Sequence, residues 1–141
     1  GPASVTLLQQ LGRQCTRSAR TNFPPPEVEL LVGVVRDPAW GLTLAVGLGG
    51  IWVEVLRDTA LRVLPVDAAE VRAALAELRG RALLDGVRGG QPADLDAVAD
   101  VVTRIAAFAG SLGDALESLE INPLLVNGSH VEALDALITW R

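Results

Sequence analysis

The sequence of 141 residues contains no lysine, no methionine and no tyrosine, and it has a single cysteine, Cys15. All 12 basic residues are therefore arginine, and with 17 acidic residues the formal net charge is −5. The arginines are scattered rather than striped, so this acidic chain is not expected to form a nucleic-acid-binding surface. One cysteine excludes an internal disulfide and a cysteine metal cluster, and it is typical of a reducing, cytoplasmic compartment.

Long apolar runs and aromatic residues are also scarce. No uninterrupted apolar run reaches the roughly 20 residues that span a bilayer, so no membrane-crossing helix is expected. Aromatic residues make up 4% of the chain while 50% of it is hydrophobic, so the core has to be built from Leu, Val, Ile and Ala. The length suits one compact domain with a real core.

Residues 1–26 differ in character from the rest of the chain. Gly1-Pro2 is typical of a remnant of tag removal. The helical spacing of Leu7, Leu8 and Leu11 predicts a short helix that ends near Cys15. Three consecutive prolines at 24–26 favour an extended spacer, so residues 16–26 are interpreted as a linker or arm. An ordinary surface loop is the alternative interpretation.

From residue 27 onwards, short apolar segments alternate with turn residues and then with helical patterns. Strands are predicted over residues 29–36, 42–46, 51–56 and 59–64. Helices are predicted from Asp67 to a stop at Gly80, and from Pro92 or Asp94 to about Gly110. A hairpin closes the chain. Because hairpins dominate, we expect an α+β domain over residues 27–141, with a mainly antiparallel sheet and two helices on one face.

The closing hairpin begins at Glu120. Its turn contains Asn127-Gly128, residues that tolerate positive φ. Strand side chains alternate between faces, so Glu120 and Asn122 are expected on one face, with Ile121 and Leu125 on the other.

A candidate metal site follows from the register of this hairpin. If the loop spans four residues, 127–130, Asn122 lies directly opposite Asp135, with Cβ atoms about 4.5–5.5 Å apart. Together with Glu120 these residues offer two carboxylates and one amide oxygen, which suits a hard cation such as Mg²⁺. A hairpin with one solvated polar face is the alternative interpretation.

A glycine-rich segment at residues 47–50 is a second candidate, because glycines let backbone approach a phosphate. It lacks the Lys and Ser/Thr of a P-loop and no helix follows it, so a tight strand connection is the alternative interpretation. Glu54 alternates with Val53 and Val55 and therefore faces either solvent or a ligand.

Four motifs in a characteristic order resemble the carboxy-terminal half of the ATP-grasp domain of ADP-forming acyl-CoA synthetases, relatives of the succinyl-CoA synthetase β subunit. The resemblance covers residues 27–141. The motifs are ELLVGVVRDP at 29–38, GLGGIWVEV at 47–55, LDGVRG at 84–89, and EINPL at 120–124 with Asp135-Ala136 following.

This resemblance implies a reversible reaction, in which acyl-CoA, ADP and phosphate give the free acid, CoA and ATP through an acyl phosphate and a phosphohistidine carried elsewhere. The family's Mg²⁺ is held by the Asn of the Glu-Ile-Asn-Pro motif and by an Asp on the following strand, which match Asn122 and Asp135. Further residues are expected to orient the site or to approach the phosphates: Glu120, Glu54, Gly49 and Gly50.

The chain also departs from the family. The amino-terminal half of an ATP-grasp domain brings a Lys to the phosphates, and this sequence has no Lys. We therefore expect a partial domain that is inactive alone, with the missing half and a CoA-binding, phosphohistidine-bearing domain or subunit as partners. The alternative is a non-catalytic regulatory or assembly module, such as the acyl-CoA-synthetase-like domain of a fused protein acetyltransferase.

Overall fold

The structure is a computed structural model that describes residues 27–49, 58–86 and 90–141. The predicted helix near residues 4–15, the arm at 16–26 and the strand at 51–56 lie outside these residues. The described elements are β1 (Val28–Asp37), β2 (Gly41–Leu48), β3 (Thr59–Val63), α1 (Ala68–Ala76), α2 (Leu95–Ser111), β4 (Leu116–Asn127), β5 (His130–Ala133) and β6 (Ala136–Trp140). Short 3₁₀ turns occur at Arg81–Asp85 and Gly113–Ala115.

Within the described residues the strands form one antiparallel sheet in the order β3-β2-β1-β4-β5, and β6 also pairs with β4. The β1–β2 turn follows the predicted chemistry, because Asp37 Oδ1 accepts hydrogen bonds from the N–H groups of Ala39 (2.7 Å) and Trp40 (3.0 Å). Both helices pack on one face of this sheet. The predicted α+β class is therefore confirmed.

Strands β5 and β6 are two parts of one hairpin arm. Leu124 pairs with Ala133 in β5, and Ile121 pairs with Ala136 in β6, in a single register. Between these pairs the Asn122 N–H donates to the Asp135 carbonyl at 3.2 Å. Asn122 therefore faces Asp135, as predicted. The loop is shorter than the predicted residues 127–130, because Asn127 pairs with His130 and only residues 128–129 are unpaired.

The predicted alternation along β4 is wrong beyond residue 122. Leu30 pairs with Leu124 but Val32 pairs with Ile121, so β4 contains one more residue than β1 between these pairs. This bulge moves the next side chains to the other face, so Leu124 follows Ile121 into the core. Leu125 is also buried, but it is not among the side chains that pack together between the sheet and the helices, whereas Ile121 and Leu124 are. Ile121 and Leu125 therefore do not share a face as predicted.

The core lies between the helices and the sheet. In α2 the buried positions recur with helical spacing, as the apolar stripe predicts. Burial of this stripe against leucines and valines of β1, β2 and β4 provides most of the driving force for folding. The completely buried side chains include Leu30, Val34, Val71, Leu75, Val98, Val102, Leu116, Leu119 and Leu124.

The amino-terminal end of α1 is capped as predicted, since Asp67 Oδ1 accepts a hydrogen bond from the Glu70 N–H at 2.8 Å. The predicted stop at Gly80 is wrong, because α1 ends at Ala76 and Gly80 has a φ of −88°. It packs closely on β2, because a Cβ on it would lie 2.2 Å from Leu48 Cδ1 and the leucine side chain would have to shift.

An exposed ion pair joins β3 to the end of α1. The Arg62 guanidinium donates to both carboxylate oxygens of Glu77. This hydrogen bond lowers the pKa of the Glu77 carboxyl and raises the pKa of Arg62. Because solvent screens the pair, its contribution to stability is small.

Replacing Asp94 with alanine should lower the free energy of unfolding by about 1 kcal/mol. Asp94 caps α2, and its Oδ1 accepts a hydrogen bond from the Ala97 N–H at 3.1 Å. Asp94→Asn is the matched control, because asparagine caps helices equally well. Urea unfolding of the three proteins measures the effect. An equal loss in both variants would contradict the capping role.

Candidate functional site

A row of five residues crosses the sheet at one level, which we call the central row. Gly47 in β2 pairs with Leu31 in β1 and with Thr59 in β3. On the other side of Leu31 lies the bulge of β4 with Asn122, and Asp135 faces Asn122 across the hairpin. Adjacent strands are about 4.8 Å apart, so Gly47 and Asn122 are separated by roughly 10 Å.

Asn122 and Asp135 lie on the sheet face away from α1 and α2, which we call the open face. Both residues are exposed. Asp135 Oδ1 accepts a hydrogen bond from the N–H of its neighbour Ala136 at 2.9 Å. Among the described residues, Asp135 Oδ2 and the Asn122 side chain have no hydrogen-bond partner, so their oxygens are available to a ligand. The structure thus brings together the two residues of the predicted metal site.

Glu120 is on the open face two residues before Asn122 in β4. It is exposed and pairs with Gly33 on one side and Leu137 on the other. Two residues along a strand correspond to about 7 Å. Glu120 therefore neighbours Asn122 on the open face, and its task at the site stays a prediction.

Gly49 follows the end of β2. Its N–H donates to the Glu29 carbonyl at 2.8 Å, and the preceding Leu48 N–H donates to the Asp58 carbonyl at 3.2 Å. Gly49 therefore continues the pairing with β1 one residue past the end of β2, beside the central row. The other two predicted phosphate contacts, Gly50 and Glu54, lie outside the described residues.

The candidate site offers few oxygen ligands for a metal ion. No group of three His, Cys, Asp or Glu residues is placed to hold a metal within the described parts of the chain. Mg²⁺ is usually bound by one or two carboxylates with water and substrate phosphates. Asp135 and Asn122 fit this sparse ligand set, and their role as metal ligands stays a prediction.

The open face also carries exposed apolar side chains. Leu137 is 62% exposed, Leu61 is 60% exposed and Val35 is 50% exposed. No element among the described residues covers this face. Leu61 on β3 and Leu137 on β6 are four strand spacings apart, which is about 19 Å, so these side chains are spread across the face rather than gathered in one patch.

A groove of about 520 Å³ lies at the other end of the sheet, where the Arg36 side chain forms part of its wall. Arg36 Nε and Nη2 donate to the carbonyls of Leu116 (2.9 Å) and Gly113 (2.6 Å). Arg36 is five residues from Leu31 along β1, which is about 17 Å. The groove is therefore separate from the central row.

Comparison with known proteins identifies the family of this chain. A family model described as an ATP-grasp domain matches residues 15–140. The chain is 33% identical over 118 residues to subunit beta of acetate–CoA ligase [ADP-forming] II of Pyrococcus furiosus, covering 82% of this chain. It is 36% identical over 107 residues to acetate–CoA ligase [ADP-forming] I of Archaeoglobus fulgidus, covering 76% of this chain.

The chain is also similar in structure to solved proteins of this kind. The dinucleotide-forming acetyl-coenzyme A synthetase 1 of Ca. Korarchaeum cryptofilum, solved with coenzyme A and Mg-AMPPCP, superposes with a TM-score of 0.74 at 35% identity. That match covers 84% of this chain and 55% of the other.

No helix among the described residues has the length and apolar character needed to cross a membrane.

The chain spans only part of the relatives that it matches. It covers 50% of the Pyrococcus subunit and 16% of the Archaeoglobus protein. The predicted resemblance is confirmed by sequence and by fold. This chain belongs to the ATP-grasp domain family and is related to part of the ADP-forming acyl-CoA synthetases.

Proposed function

We propose that this chain is the part of an ADP-forming acyl-CoA synthetase that holds Mg²⁺ and the nucleotide phosphates. The reaction of the whole enzyme converts acyl-CoA, ADP and phosphate reversibly to the free acid, CoA and ATP. The observation that carries the proposal is the cross-strand pair of Asn122 and Asp135 on the open face. The pair lies level with the glycine backbone at the end of β2.

Within this proposal each group has a distinct task. The Asp135 carboxylate and the Asn122 amide oxygen provide hard oxygen ligands at a fixed separation, because they belong to adjacent arms of one hairpin. When bound by these two residues, Mg²⁺ would supply positive charge that neutralises nucleotide phosphates. Glu120 would orient water beside it, and the backbone of Gly47 and Gly49 would border the phosphates.

The open face supports a partner as well as a ligand. Its exposed apolar residues are the surface against which we place the missing amino-terminal ATP-grasp half, which would bring the lysine that this sequence lacks. The nucleotide would lie between the two halves. A CoA-binding, phosphohistidine-bearing domain or subunit would complete the enzyme. The extent of the match, about half of the Pyrococcus subunit, is consistent with this division.

Replacing Asn122 with alanine should weaken Mg-ADP binding by about tenfold or more, because one of the two protein ligands is lost. Titration of the ¹⁵N-labelled chain with Mg-ADP, followed by NMR, detects even millimolar binding. We expect the amide signals of Gly47, Gly49, Asn122 and Asp135 to shift together in the wild type, and only when Mg²⁺ is present.

Asp114→Asn is the matched control for this titration. Asp114 is an exposed carboxylate in the turn before β4, and it lines the groove at the other end of the sheet. Its replacement should leave the affinity unchanged. Nucleotide shifts confined to the groove, or equal affinity in wild type and Asn122→Ala, would overturn the site.

The second candidate function is a non-catalytic regulatory or assembly module. The absence of lysine from this sequence is compatible with both candidates, because in the enzyme family the lysine is expected from the amino-terminal half. The neighbouring coding sequence separates the two candidates. An adjacent lysine-bearing ATP-grasp half and a CoA-binding domain support the enzyme, whereas an acetyltransferase domain in their place supports the module.

A further inference from the structure

Asp58 is a buried carboxylate next to the candidate site. Its side chain is 5% exposed, and it is the single charged or polar residue in the buried set among the described residues. It directly precedes β3. A buried carboxylate is destabilising unless hydrogen bonds replace its lost hydration. Its partners therefore indicate what it does.

Both carboxylate oxygens bind backbone. Oδ1 accepts from the Arg79 N–H and Oδ2 accepts from the Gly80 N–H, each at 2.7 Å. Arg79 Nε lies 4.0 Å from Oδ1. Hydrogen bonds to a charged acceptor are about twice as strong as neutral ones. The carboxylate therefore fastens the start of β3 to the turn that follows α1.

The backbone of Asp58 holds the end of β2. Its carbonyl accepts the Leu48 N–H at 3.2 Å, while on the other side of β2 the Gly49 N–H donates to Glu29. A Cβ at Gly47 would lie 2.7 Å from the Asp58 carbonyl oxygen, so only glycine allows this approach. The residues from Gly47 to Gly49 are thus clamped between β1 and Asp58.

Side-chain packing gives a second connection. A Cβ at Gly80 would lie 2.2 Å from Leu48 Cδ1 and 3.3 Å from Asp58 Oδ2. The turn that Asp58 binds therefore packs directly on Leu48. Leu48 is therefore coupled to Asp58 in two ways. Its N–H binds the Asp58 carbonyl, and its side chain packs on the turn that the Asp58 carboxylate binds.

We infer that Asp58 is a positioning residue, which fixes Gly47–Gly49 level with Asn122 and Asp135 so that the glycine backbone borders the nucleotide phosphates. This inference rests on the proposed function. Asp58 does not touch the nucleotide. It acts through Leu48 and the two glycines.

Asp58→Asn tests the positioning step directly. Asparagine has nearly the same shape but one acceptor oxygen, so one of the two buried N–H groups loses its partner. We expect amide hydrogen exchange at Leu48 and Gly80 to accelerate about tenfold. Exchange at Val102 in the centre of α2 reports global unfolding and should accelerate less than exchange at Leu48 and Gly80. Unchanged exchange at Leu48 in a folded variant would overturn the inference.

The functional consequence is measured by Mg-ADP titration of the same variant. We expect Asp58→Asn to bind about tenfold more weakly than wild type. Asp67→Ala is the control, because it removes another carboxylate that accepts a backbone N–H and lowers the thermal midpoint without touching β2. Its affinity should equal that of the wild type.

Failure of the inference and failure of the proposed function give different results in these experiments. If Asp58→Asn and Asp67→Ala lose thermal stability but both keep wild-type affinity, Asp58 is structural only and the inference is overturned. If wild type and Asn122→Ala show the same affinity, or none, the proposed function itself fails and the inference falls with it. Faster exchange at Leu48 together with a selective loss of affinity in Asp58→Asn supports the inference.

Discussion

Replacing Leu119 with alanine is expected to lower the free energy of unfolding by about 2–5 kcal/mol. Leu119 is completely buried and pairs with Val34 of β1 and Ile138 of β6. It therefore sits on a central strand, on the face that packs against the helices. Neighbouring strands restrict collapse around the missing atoms, so the variant should retain a cavity and be strongly destabilised. Urea unfolding monitored by circular dichroism measures the change.

Leu137→Ala is the matched control for this prediction. Leu137 is the same residue type on the same hairpin and pairs with Glu120, the residue next to Leu119. It is 62% exposed on the open face, so its truncation should cost less than about 0.5 kcal/mol. Similar losses in the two variants would mean that the two faces of the hairpin have been assigned incorrectly.

Local chemistry made much of this fold predictable. The turn after β1 and the caps of both helices depend on hydrogen bonds within three residues, such as those of Asp37, Asp67 and Asp94. Such signals can be read without knowing the rest of the structure. The α2 stripe is equally local, because helical spacing alone determines which side chains share a face.

The errors concern residues whose conformation is set by distant contacts. The change of face after Asn122 follows from pairing of β4 with β1, which is nearly ninety residues earlier in the chain. Gly80 looked like a helix stop, but it lies beyond the end of α1 and packs closely against the Leu48 side chain of β2. A glycine in a sequence does not reveal whether backbone conformation or crowding demands it, since both exclude a side chain.

In the candidate site, too, the features set by nearby residues were predictable and those set by distant contacts were not. The juxtaposition of Asn122 and Asp135 was predictable, because two arms of a hairpin have only a few plausible registers. That Gly47 lies in the same row was not, because it depends on the strand order β2-β1-β4. Asp58 gave no signal at all, since its burial results from contact with the turn after α1.

Under the proposed function, Asp135→Asn should reduce ADP-dependent phosphoryl transfer at least about 100-fold in the presence of the amino-terminal half and the phosphohistidine-bearing partner. The neutral amide holds Mg²⁺ more weakly than the carboxylate does, so less metal is bound to neutralise the phosphate charge. Its stability should barely change, since Asp135 is exposed. Asparagine keeps one oxygen ligand, so raised Mg²⁺ should restore part of the activity of Asp135→Asn but none of that of Asp135→Ala. Asp114→Asn, assayed in parallel, should retain full activity. Equal rates for wild type and Asp135→Asn, or equal Mg²⁺ recovery in both Asp135 variants, would show that the carboxylate binds no metal.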